Sequence, residues 1–229
     1  MNKFCKFQVW IFVLLNFSGY HPAYSQNDHV HHESHSKIPI DSLRLINQQF
    51  DREWNNWRDS LFELEIHEDM LIGEIGAGYG EFAFLLSTQV GQKGHVYANE
   101  VDQSKIHKIN DLISEKNVKN LTVITGTEDD ALFPANNLDM AIMIEVYHHI
   151  ANPNIYFKNL SKYLGENGQL VIVDPDVNQP GGTLDGCYSD PESTKSLLLN
   201  LGYRNIRISY KKISDLELYI LSADSPVIE

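Results

Sequence analysis

From Met70 onward, short apolar runs of strand length alternate with longer amphipathic runs of helix length, and this pattern constrains the fold more than any other feature. Strand-like runs occupy 70–75, 95–100, 121–125, 138–144, 168–174, 206–211 and 217–223. Between them the apolar period lengthens to that of a helix over 81–90, 103–115, 153–164 and 191–201, with Gly91, Gly94, Gly165 and Gly202 near the breaks. Parallel neighbours need a long crossover, which a helix supplies, so this alternation predicts a parallel sheet covered on both faces. Only a turn around Ile213-Ser214-Asp215 separates the last two runs, so the seventh strand returns antiparallel. The expected class is α/β, with seven strands, mostly parallel, and an antiparallel last strand.

In such sheets ligands sit beyond the carboxyl ends of the strands, where the chain leaves a strand and opens a helix. Here that place is Glu74-Ile75-Gly76-Ala77-Gly78-Tyr79-Gly80. The glycines let the backbone turn sharply and approach a ligand. A dinucleotide loop requires G-x-G-x-x-G, and the third glycine of that pattern falls on Glu81. A carboxylate at the helix start also repels a pyrophosphate, which speaks against NAD. S-adenosylmethionine has no phosphate, and its ammonium and sulfonium are cations that Glu74 can pair with. Glu100 ends the second strand, where a carboxylate can accept from two ribose hydroxyls. Glu128 and Asp129 follow the third strand, within reach of an adenine amino group.

The segments Glu74 to Gly80, Val96-Tyr97-Ala98-Asn99-Glu100, Gly126-Thr127-Glu128-Asp129-Asp130, Leu138-Asp139-Met140 and Val146-Tyr147-His148-His149 resemble the successive motifs of class I S-adenosylmethionine-dependent methyltransferases. The resemblance runs from about Met70 to Ala223. It is closest to small, often exported bacterial members with a Tyr-His-His or Tyr-His-Glu segment after the fourth strand. It implies a Rossmann-like seven-stranded fold with S-adenosyl-L-methionine across the ends of the first three strands. It further implies that Glu74, Gly76, Ala77, Gly78 and Gly80 hold the methionine part and Glu100, with neighbouring Val101, the ribose. Glu128 and Asp129 then serve the adenine edge, and Glu145 lines the cofactor side. Glu100 stands where many members have Asp, and Tyr79 where Thr or Ser is common.

Methyl transfer is an in-line displacement, so alignment of the reactants is the largest lever. A nucleophile that carries a proton also needs a base. His148 and His149, after the fourth strand, and Asp174, at the end of the fifth, are the candidates. The segment 177–189, with Gly181-Gly182 and Gly186-Cys187-Tyr188, is expected to cover the substrate. No Asn-Pro-Pro-Tyr or Asp-Pro-Pro-Tyr follows the fourth strand, which speaks against DNA amino-methylation. The expected acceptor is a small molecule. A non-catalytic S-adenosylmethionine-binding protein of the same fold is the alternative.

The excess of 31 Asp+Glu over 18 Lys+Arg speaks against a nucleic-acid partner. Lys3 and Lys6, the apolar run from Phe7 to Phe17, and Ala23-Tyr24-Ser25 form the pattern of a signal peptide over 1–25. The apolar run is short for a permanent anchor, so the expected product is exported. Cys187 is then the single cysteine, with no internal disulfide. Residues 26–40, with His29, His31, His32 and His35, are read as a disordered spacer rather than a metal site. The apolar stripe Leu43, Ile46, Phe50, Trp54, Trp57 and Leu61 predicts an N-terminal helix over 41–62 that opens the domain 41–229. N-terminal sequencing of the exported product checks the leader: the mature chain should begin at Gln26, and a retained Met1 would refute cleavage.

Overall fold

The structure is a computed structural model and describes residues 64–179, 188–213 and 216–227. The expected leader, His-rich spacer and N-terminal helix lie outside the described residues, as do Gly181, Gly182 and Cys187.

The strands are β1 (Leu71–Ile75), β2 (His95–Glu100), β3 (Leu121–Thr125), β4 (Leu138–Ile144), β5 (Leu164–Pro175), β6 (Arg204–Ile213) and β7 (Leu216–Asp224). They form one sheet in the order β3-β2-β1-β4-β5-β7-β6. The first five pair in parallel, while β7 runs antiparallel to both β5 and β6. The sequence expectation of a mostly parallel sheet with an antiparallel last strand holds. The helices are α1 (Glu81–Gln89), α2 (Gln103–Lys116), α3 (Pro153–Leu160) and α4 (Pro191–Asn200).

β4 shows why its sequence is almost continuously apolar. Successive side chains point to opposite faces, and both faces are covered. Met140, Ile142 and Ile144 pack with Leu86 of α1 and Ile109 and Leu112 of α2. Ala141 and Met143 pack with Tyr156, Phe157 and Leu160 of α3 and Leu198 of α4. Local chemistry sets the helix ends. The Asp102 carboxylate accepts from the Ser104 N–H to start α2, and Asp190 accepts from the N–H groups of Glu192 and Ser193 ahead of Pro191. Asn117, at φ 52°, closes α2 in the left-handed conformation.

The chain departs from the sequence expectation after α3, which ends at Leu160 rather than 164. There the backbone tightens, with Lys162 N–H donating to Asn159 O and Tyr163 N–H to Leu160 O. Leu164 already pairs with Leu138, and an irregularity takes up the residues before Gln169 pairs with Met140. β5 therefore begins at Leu164, ahead of the 168 expected from its apolar run.

Phe157 of α3 is fully buried and meets the Tyr203 ring edge-on, and the Tyr203 hydroxyl donates to the Phe157 carbonyl at 2.9 Å. Phe157→Ala should cost about 3–5 kcal/mol. Denaturant unfolding should show a lower midpoint with an unchanged slope.

Candidate active site and cofactor loop

Parallel pairing brings the carboxyl ends of β1, β2 and β4 to one edge of the sheet, with Ile75 level with Asn99 and Met143. Beyond Ile75 the glycine loop continues the pairing for one step, the Ala77 N–H donating to Asn99 O at 2.8 Å. It then turns through Gly80 N–H to Ala77 O at 2.8 Å into α1. Two glycines in this loop have different causes. At Gly76 (φ +69°) a Cβ would stand 2.5 Å from Val146 Cγ2, so the protein's own packing excludes a side chain. At Gly78 (φ +59°) the nearest atom to a Cβ is Glu81 Oε2 at 3.8 Å, so this flank is open to a ligand. The N-terminus of α1 carries no side-chain cap.

Glu100 shapes this loop. Its Oε2 accepts from the Gly78 N–H at 2.9 Å, and its Oε1 from the N–H groups of Val101 and Asp102 at 2.7 and 3.0 Å. A carboxylate offers about four acceptor directions, so roughly one remains for a ligand hydroxyl rather than the two expected from sequence. Lys105 Nζ lies 4.0 Å from Glu100 Oε2 and 5.9 Å from the centre of the Tyr79 ring. Tyr79 and Val101 are each 53% exposed on this rim.

Glu74 lies at 3% exposure. Among the described residues its Oε2 is a buried side-chain atom without a hydrogen-bond partner. Burial holds its carboxyl well above the usual carboxylate range, and the charges of Glu81 and Glu100 push the same way. Burial also raises Glu81, opposed by backbone N–H groups and by Lys105. An unpaired buried carboxylate is costly, and a cationic group placed against it removes that cost. The residues thus fit the ammonium of S-adenosylmethionine and oppose a pyrophosphate.

Asp129 and Glu128 follow β3. Glu128 is exposed, and Asp129 Oδ1 accepts from Asn152 Nδ2 at 3.1 Å. Asp130 is tied into the protein by the Tyr163 hydroxyl at 2.7 Å. Asn99, which sequence reasoning missed, is buried beneath this loop, its Nδ2 donating to Ala131 O at 2.9 Å. A Cβ on Gly126 would meet that Nδ2 at 2.0 Å. The glycine at 126 was the available signal for this close approach.

At the end of β4, Glu145 adopts φ +54°, and its N–H donates to Val173 O at 2.8 Å. A non-glycine residue in this left-handed region carries strain of about 1 kcal/mol or more. The kink leads into the 3₁₀ turn Tyr147–His149. His148 Nδ1 lies 2.9 Å from Asp174 Oδ1, and both side chains are almost fully buried. An ionised Asp174 makes Nδ1 the donor and leaves Nε2 as an acceptor. His149 is exposed, its ring centre 4.1 Å from that of His148 and tilted 56° to it. Desolvation of its ring, then the neighbouring His148, lowers its pKa. Of the sequence candidates, His148 and Asp174 are brought together, while His149 lies outside their pair. Among the described residues no His/Cys/Asp/Glu group is arranged to hold a metal ion.

Two substitutions test the loop by calorimetry. Gly78→Arg should abolish binding of S-adenosylmethionine and S-adenosylhomocysteine by filling the open flank. Glu74 titrates higher in the folded than in the unfolded chain, so its contribution to stability is present below the unfolded pKa and lost as pH rises through the folded one. Glu74→Gln should therefore stabilise the ligand-free protein at neutral pH by about 1–3 kcal/mol while weakening S-adenosylmethionine roughly 10–100-fold. Unchanged affinity in Glu74→Gln would refute the pairing.

A family profile described as methyltransferase domain matches residues 66–217. A search of curated protein sequences gave no match. Among solved structures, a SAM-dependent methyltransferase from Aquifex aeolicus superposes with a TM-score of 0.66 at 20% identity, covering 79% of this chain and 97% of that one. An O-methyltransferase from Thermotoga maritima gives 0.54 at 17% identity over 83% and 66% of the two chains. Phosphoethanolamine N-methyltransferase 2 of Haemonchus contortus, in complex with S-adenosylhomocysteine, gives 0.61 at 11% identity over 76% and 52%. With the match to residues 66–217 the chain belongs to the methyltransferase domain family, and its strand order with an antiparallel β7 gives it the class I fold of the S-adenosylmethionine-dependent methyltransferases it superposes on.

Proposed function

We propose that this chain is an exported enzyme that methylates a small-molecule acceptor whose reacting atom carries a proton, with His148 as the base. The observation that carries the reading is the His148–Asp174 pair, 2.9 Å apart, at the carboxyl ends of β4 and β5, on the sheet edge where β1 presents the glycine loop. S-adenosylmethionine, when bound, supplies a methyl on a sulfonium and leaves as a neutral thioether. The departing group needs no acid, so the protein's tasks are to align, to exclude water and to remove one proton.

Each residue has a part in that division. Gly78 gives the cofactor an open backbone flank, and Glu74 takes its ammonium. Glu100 holds Gly78 in place from β2. With the cofactor bound, the acceptor's lone pair would take the methyl group as the carbon–sulfur pair returns to sulfur, and the acceptor's proton would pass to His148 Nε2. Asp174 keeps Nδ1 protonated beforehand and balances the imidazolium afterwards. Two neighbours are named as an N- and an O-methyltransferase, which agrees with an acceptor heteroatom, and a third as a carbon methyltransferase. Export rests on the sequence pattern of residues 1–25.

Incubation with methyl-labelled S-adenosylmethionine and an envelope extract tests the proposal. Label should enter a low-molecular-mass fraction, and His148→Ala should slow transfer by about 10²–10⁴-fold without changing cofactor affinity. Cofactor binding with no transfer to any fraction would favour a non-catalytic binding protein instead.

A further inference from the structure

Asp174 has a second oxygen that the pairing with His148 does not use. Its Oδ2 accepts from the Ser189 hydroxyl, and Ser189 Oγ lies 2.7 Å from the Tyr219 hydroxyl. The one hydroxyl proton of Ser189 goes to Asp174, so Tyr219 is the donor in the second bond. Exposures of 0% for Asp174, 7% for Ser189 and 0% for Tyr219 place the whole chain of bonds out of solvent.

Backbone pairing builds this arrangement. Asp174 and Tyr219 are directly opposed in the β5–β7 register, so their side chains share one face. Ser189 is held beside them by its N–H to Pro175 O and by Val177 N–H to its own carbonyl, both at 3.0 Å. Thr194, on α4 and 1% exposed, interacts with the phenols of both Tyr219 and Tyr147. Tyr147 directly precedes His148, so the network returns to the turn it started from. A carboxylate buried between two strands is expensive for a fold to keep, and packing alone gives no reason for one here.

We propose that Ser189 and Tyr219 are positioning residues for methyl transfer: together they orient Asp174 and draw part of its charge away from the imidazole, holding His148 in the Nδ1–H tautomer. The proposal rests on His148 being the base. A hydrogen bond to an ionised carboxylate stabilises that charge. Without the Ser189 hydroxyl, the charge of Asp174 is neutralised by His148 alone, and the imidazole becomes harder to deprotonate. Among the described residues, Tyr147 and Tyr219 interact with Asp174 and His149 with both His148 and Asp174, while Lys105 on α2 acts on His149 and Asp190 on Tyr147.

Nuclear magnetic resonance of the full chain labelled with ¹⁵N-histidine tests this without knowledge of the acceptor. Wild-type His148 should show the Nδ1–H tautomer. Ser189→Ala should raise its pKa by about one unit, the scale of one weakened charge-assisted hydrogen bond. Tyr219→Phe should shift it the same way by less, and Ser189→Thr should restore the wild-type value. The acid limb of the labelled-transfer profile should move to higher pH by the same amount in Ser189→Ala. Calorimetry with S-adenosylmethionine should give wild-type affinity for all three variants, showing that fold and cofactor loop persist. A His148 tautomer and pKa unchanged in both Ser189→Ala and Tyr219→Phe would overturn the proposal. Wild-type transfer rates in His148→Ala would instead overturn the reading beneath it.

Discussion

The hydrogen bond from the Gly78 N–H to Glu100 Oε2 joins the two strands on which the cofactor site depends. Glu100 ends β2 and Gly78 lies in the loop after β1, so this contact converts strand pairing into loop shape. Two more N–H groups, from Val101 and Asp102, hold the same carboxylate at the start of α2. One side chain thereby sets the path of the glycine loop and the entry of the next helix. With the loop held from β2, the open flank of Gly78 and the buried carboxylate of Glu74 stand on adjoining positions of one surface.

Charge then sorts the ligands this surface can take. Glu74, Glu81 and Glu100 crowd around the loop, and Lys105 is a nearby cation that interacts with both Glu81 and Glu100. The protein keeps a carboxylate oxygen buried and unpaired among the described residues, at a cost in stability. This is the usual relation between a preformed site and a fold that would be more stable without it. Binding a cation and leaving the pocket acidic are two views of one arrangement.

Much of this was readable from the chain. The strand and helix runs were visible because β1, β2, β4 and the second half of β5 are largely buried on both faces and the breaks between runs carry glycine. The cofactor loop was visible because three alternating glycines followed by Glu81 are incompatible with a dinucleotide loop. Other features depend on contacts that periodicity does not encode. The early start of β5 arises from pairing of Leu164 with Leu138, which no apolar pattern announces. The engagement of Glu100 by three backbone donors depends on how the loop folds back over β2. Ser189 and Tyr219 join Asp174 from 15 and 45 positions further along the chain, through a loop connection and a strand register. Which of two adjacent histidines meets Asp174 follows from the kink at Glu145, a conformation its residue type gave no reason to expect.

The place of β7 in the sheet carries a consequence for biogenesis. It inserts between β5 and β6, although both precede it in the chain. Until it emerges from the ribosome, β6 has no strand partner in the sheet and the edge of β5 away from β4 stays unpaired. The sheet is therefore completed beside one edge, through the β5–β7 pairing of segments distant in sequence, the kind of contact associated with slow folding. Tyr219 arrives on that strand, so the carboxylate behind His148 gains its final partner last. The network around Asp174 is thus completed at the end of folding, after the glycine loop that follows β1 has the strand partners it needs.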